Sequence, residues 1–139
     1  MKKIILLLTI IMAVPFLSFA AFPVNYDEKL DITTTDKSFD LKNNNSVTVS
    51  ATRPLKPMQE FTLTYKFKNP NVKAVKFTSN MEMNMGKFEY EGTKLSDTEF
   101  TVKQILTKCM SGKTKWFTKA FITYNDGSNE EMYVFFDVK

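Results

Sequence analysis

The chain has no histidine, one cysteine and four glycines among its 139 residues, and each scarcity removes a class of chemistry. Without imidazole there is no Ser-His-Asp or Cys-His arrangement, no conventional zinc site and no blue-copper centre. Four scattered glycines build no phosphate-cradling loop. Acid-base work would fall to lysine or to carboxylates such as Glu89, Glu91, Asp97, Glu99, Glu130 and Glu131, which occupy polar faces or turns where a solvated charge is the ordinary reading. The inventory therefore argues against an enzyme. There is no basic run either, since lysines and acids are interspersed, and this argues against nucleic-acid binding.

The first residues carry a targeting pattern. Lys2 and Lys3 precede an uncharged run from Ile4 to Ala20 that ends in small residues, Ser18 and Ala20. That is the layout of a signal peptide over 1–20, cut after Ala20, and it places the product in the periplasm or outside the cell. Pro15 and the Ser-x-Ala ending favour cleavage; membrane attachment follows only if the leader is retained as an anchor. Cleavage leaves 119 residues, 21–139, enough for a single domain with one core, and lowers the formal charge from +4 to +2. One cysteine, Cys109, makes no internal disulfide, so it is an inert core residue, a thiol for another molecule, or a ligand.

What the chain does have is alternation. Phe61, Leu63, Tyr65 and Phe67 alternate with Thr62, Thr64, Lys66 and Lys68, the period of a half-buried strand. Similar signals mark Val47 to Ala51, Ala74 to Thr78, Phe100 to Leu106 with a bulge near Gln104, Trp116 to Tyr124, and Met132 to Val138. Phe39 and Leu41 suggest a short edge strand. Arg53-Pro54-Leu55-Lys56-Pro57, Asn69-Pro70-Asn71 and Asn125-Asp126-Gly127-Ser128 punctuate them as turns. About seven short strands with almost no helical periodicity predict an all-β, antiparallel immunoglobulin-like β-sandwich, with a closed barrel as the alternative.

The unusual stretch is Met81-Glu82-Met83-Asn84-Met85-Gly86. On an extended segment the three thioethers share one face, either as a stripe of adaptable core filler or as a methionine-rich metal site. The odd numbering of Val75 and Phe77 carries onto the methionines and favours the core. Ser79-Asn80 and the even-numbered Phe88 and Tyr90 instead predict a broken strand and a switched face. Thioethers and thiolates select Cu(I), and Cys109 with Met110 offers the missing thiolate. Met81 and Met85 lie roughly 13 Å apart on a flat strand, so two neighbours such as Met83 and Met85, about 6.6 Å apart, are the better partners for Cys109. Lys108, Lys113 and Lys115 flank the cysteine and would favour its thiolate form, and Trp116 would shield it.

The leader, the sandwich of this size, the Met-x-Met-x-Met-Gly segment and the later Cys109-Met110 before an aromatic strand together resemble the small periplasmic copper-handling domains of the YtkA-like and FixH-like kind. The resemblance spans residues 60–138 and rests on Met81, Met83, Met85, Gly86 and Cys109. It implies an exported immunoglobulin-like domain engaged in copper delivery or cytochrome oxidase maturation. The expectation is thus a Cu(I)-binding carrier or chaperone with metal ligands drawn from Met81, Met83, Met85, Cys109 and Met110, exchanging copper with a donating or receiving protein. The alternative is an exported protein-protein interaction module, adhesin-like or inhibitory, whose methionine and aromatic residues form a contact surface without metal. A redox-active thiol at Cys109 stands third.

Overall fold

The computed structural model describes residues 25–139; the leader and its cleavage point lie outside them. Among the described residues a 3₁₀ turn, Glu28–Leu30, precedes nine strands: β1 Lys37–Asp40, β2 Ser46–Ala51, β3 Glu60–Phe67, β4 Val72–Met81, β5 Glu89–Glu91, β6 Thr93–Lys94, β7 Glu99–Ile105, β8 Lys115–Tyr124 and β9 Asn129–Asp137. They form two antiparallel sheets, ordered β1-β2-β3-β7-β6 and β5-β4-β8-β9. In immunoglobulin lettering β2-β3-β7-β6 takes the places A-B-E-D and β5-β4-β8-β9 takes C′-C-F-G, with β1 added outside A. The fold is an immunoglobulin-like sandwich. The count exceeds seven because β5 and β6, of 3 and 2 residues, are too short to leave a periodic trace in the sequence.

Alternation decides which side chains meet between the sheets. The odd residues of β3, Phe61 to Phe67, are all buried, and from the other sheet the even residues of β8, Trp116 to Tyr124, face them. Rings interlock across the gap: Phe61 lies edge-on to Phe136 at 5.6 Å and Tyr65 leans on Phe77 at 4.9 Å. Burying each such ring stabilises the fold by about 1.5–3 kcal/mol. The crossover from one sheet to the other happens at Gly92, whose N–H bonds the Val75 carbonyl at 2.8 Å. A Cβ there would stand 2.7 Å from that same oxygen, so no other residue fits without a shift.

Two expectations fail here. β4 does not break at Ser79-Asn80; it stays paired with β8 through Met81, opposite Trp116, and its register shift falls at its start, between Val72 and Ala74. Nor is there a bulge at Gln104, because β3 and β7 pair in unbroken register from Glu60–Ile105 to Lys66–Glu99. One arrangement explains both. The Ser79 hydroxyl donates to Gln104 Oε1 at 2.6 Å and shares a 2.7 Å bond with the Thr118 hydroxyl, while Gln104 Nε2 reaches Thr118 at 3.3 Å. Polar residues that look like interruptions satisfy one another inside the sandwich.

Candidate metal centre

β3 starts, and β4 and β7 end, at one end of the sandwich, where β8 begins. The links β2–β3, β4–β5 and β7–β8 therefore gather there. The β4–β5 link carries the methionines and the β7–β8 link carries Cys109.

The methionines part company at the end of the sheet. Met81 is the last paired residue of β4 and is 1% exposed, a core side chain. After it the chain turns out, so Met83 emerges at 41% exposure. Met85 is half-buried and packs against the core.

The turn is held by Asn80. Its Oδ1 accepts the backbone N–H groups of Met81 at 2.9 Å and Met85 at 2.8 Å, and its Nδ2 donates to the Gly86 carbonyl at 3.0 Å. Gly86 closes the loop at φ +115°, a backbone region that glycine enters without strain. Nothing in the periodicity marks Asn80 as a functional residue. The usable signal is its type, since asparagine side chains commonly bond nearby backbone and fix turns.

This loop brings Met83 to Cys109, with the Cys109 Sγ donating to the Met83 Sδ across 3.6 Å. Ser111 completes the group, its hydroxyl 3.0 Å from the Cys109 Sγ and 3.9 Å from the Met83 Sδ. The cysteine side chain is 5% exposed and lies at the rim of a small cavity of about 90 Å³ shared with Pro57, Gly112 and Trp116. Its thiol is held below the ordinary value, first by the Ser111 hydroxyl, then by the Ser111 backbone N–H, with Lys113 adding a smaller electrostatic pull. The expected lysine effect is thus mostly a serine effect. Lys115 is engaged elsewhere, bonding Asp31 at 2.9 Å and Asp137 at 3.1 Å. Trp116 faces the core and meets Phe88 edge-on at 5.3 Å.

Of the five sulfur residues singled out in the sequence, the structure brings Met83 and Cys109 into contact. It commits Met81 to the core, packs Met85 beside it, and leaves Met110 at 100% exposure. Among the described residues there is no cluster of three or more Cys, Asp or Glu that could hold a metal.

No protein-family model and no curated protein matches the chain. Among solved structures it is similar to the crystal structure of a DUF3823 family protein from Bacteroides ovatus ATCC 8483, with 11% identity over 73% of this chain and 78% of that one. The TM-score of 0.38 makes that likeness too loose to bear on function.

Proposed function

We propose that the protein is an exported Cu(I)-binding carrier or chaperone whose metal sits between Cys109 and Met83. The observation that carries this reading is the 3.6 Å approach of the two sulfurs, one on each of two loops that meet only in the folded chain. Taking a metal-sulfur bond of about 2.3 Å, as for a zinc thiolate, two sulfurs so placed subtend roughly 100° at the metal. That angle suits a three- or four-coordinate site with a side left open for another ligand. Thiolate and thioether are soft donors, which favours the cuprous ion over zinc. Copper binding displaces the thiol proton to solvent, and Ser111 eases that loss by donating to the thiolate. Export to the periplasm rests on the leader, and copper delivery accords with the resemblance to YtkA-like and FixH-like domains.

Competition against a cuprous chelator tests it. Wild type should hold about one Cu(I), Cys109→Ser should lose most of the affinity, and Met83→Leu, which keeps volume and apolarity, should weaken binding without unfolding the domain. Equal and poor competition by wild type and Cys109→Ser would end the copper reading. The exposure of Met110 and Met58 would then favour the second one, a contact surface that holds no metal.

A further inference from the structure

The two ends of the sandwich differ in chemistry. Of the six methionines in residues 25–139, five (Met58, Met81, Met83, Met85 and Met110) lie at the end that carries the Cys109–Met83 pair, and Met132 alone lies within a strand away from it. Three of the five face solvent: Met58 at 67%, Met83 at 41% and Met110 at 100% exposure. Met58 is tied to the cysteine loop by its backbone N–H, which bonds the Leu106 carbonyl at 2.8 Å.

Charge is polarised the same way. The segments at the sulfur end (25–36, 52–59, 82–88, 106–114 and 138–139) hold seven basic residues, Lys29, Arg53, Lys56, Lys87, Lys108, Lys113 and Lys139, against five acidic ones, Asp27, Glu28, Asp31, Asp36 and Glu82. The turns at the opposite end balance Lys42 and Lys68 against Asp97 and Asp126. Lys56, Lys87 and Lys108 are exposed.

We propose that the sulfur end is the face on which an acidic, copper-exchanging protein docks, with Met110 as the relay ligand that passes Cu(I) between that protein and the Cys109–Met83 pair. The proposal rests on the copper reading and adds a partner and a route. An excess of exposed lysine recruits an acidic surface at a rate that salt suppresses. Met110 is adjacent to Cys109 in sequence, fully exposed, and flexible about three side-chain bonds. Transfer is ligand exchange with no change of oxidation state. A Cu–S bond to the donor breaks as the bond to Met110 forms, and Met110 is then displaced by the Cys109 thiolate, whose proton has gone to solvent. An anionic membrane suits the face less well, because headgroup-inserting surfaces use Trp, Phe and Leu, and the most exposed apolar side chains here, Met58 and Met110, are methionines.

The test uses two synthetic Cu(I)-loaded peptides with identically spaced methionines, one flanked by Asp and Glu and the other by Lys, with transfer to the protein followed by stopped flow. At low salt the acidic donor should transfer at least about tenfold faster, and the advantage should vanish near 1 M salt. Lys56→Glu with Lys108→Glu should reverse the preference. Met110→Leu should slow transfer about tenfold while leaving the equilibrium affinity within about twofold, since it removes a step on the route and not a resident ligand. Equal rates for both donors would overturn the docking face, and an unchanged Met110→Leu rate would overturn the relay. Titrating the metal-free acidic peptide while observing the amides of Lys108 and Met110 reads docking independently of copper. No response there, or a response only to anionic vesicles, also overturns it. A failure of the copper reading is distinguished by the chelator competition, in which wild type would hold no Cu(I).

Discussion

Replacing Asn80 by alanine should weaken copper binding without touching either sulfur. Asn80 is 5% exposed and makes three bonds of 3.0 Å or less to the loop that presents Met83. At about 1 kcal/mol net each, the clamp holds the loop by roughly 3 kcal/mol. Part of this returns as freed backbone entropy, at about 1–2 kcal/mol per released residue. The freed Gly86 carbonyl, on an exposed residue, can turn to water, whereas the Met81 N–H, on a buried residue, loses its acceptor and adds to the loss of stability. A net loss of about 1–2 kcal/mol in the closed loop reduces apparent copper affinity roughly 5- to 30-fold, because only the closed fraction brings Met83 to Cys109. The thermal midpoint should fall by only a few degrees, about what a kcal/mol costs a domain of this size. Chelator competition on wild type, Asn80→Ala, Met83→Leu and the double variant is the assay. Once Met83 is gone, losing the clamp should cost the metal nothing more, so the two changes should be strongly non-additive. Additive losses, or an Asn80→Ala protein that binds copper like wild type, would refute the reasoning.

Other expectations follow from individual contacts. Ser111→Ala removes the largest influence lowering the Cys109 thiol, so the pH profile of its alkylation should move upward and the rate at neutral pH should fall; an unchanged profile would mean that Ser111 does not stabilise the thiolate. Burial raises Asp31, but the Thr33 hydroxyl and N–H, Lys115 and Tyr26 outweigh it and bring the carboxyl to about 2, below its ordinary 3.8. Its folded value is the lower one, so its contribution is present above about pH 4 and is lost as pH falls toward 2. Thermal melts across that window should show a drop in wild type that is smaller in Asp31→Asn. The Tyr65 hydroxyl is buried without a hydrogen-bond partner among the described residues, so Tyr65→Phe should leave stability unchanged or raise it by up to about 1 kcal/mol in urea unfolding; a loss larger than that would show that the hydroxyl is satisfied.

Period-two alternation made the sandwich legible, and β3 shows why: its pattern is local, and every odd residue from Phe61 to Phe67 is buried as the sequence implies. The polar strand residues were misread for the opposite reason. Ser79 is satisfied by Gln104 and Thr118, 25 and 39 positions away, and no local window sees such partners. The methionines were ambiguous because their common face depends on where pairing stops. That is decided by the start of β8, whose Trp116 stands opposite Met81. With no strand beyond that point, Met83 is released to the loop and the period-two argument ends one methionine early. Ser111 was more accessible to reasoning, since a hydroxyl two residues after a cysteine is local. The flanking lysines are the more conspicuous pattern in the sequence, although a direct hydrogen bond acts on a thiol more strongly than a solvated charge at the rim.

Asn25 lines a groove with Gly112 and Lys113, and Lys139 shares the small cavity with Cys109. Both ends of the described residues therefore lie at the sulfur end of the sandwich. A histidine tag fused directly before Asn25 or after Lys139 should compete with the proposed site for copper. Such a tag would distort the copper stoichiometry it was meant to help measure. The Asn125–Ser128 turn, at the far end of the molecule and fully solvent-facing, is the position where a label or an immobilising tether leaves the sulfur face clear.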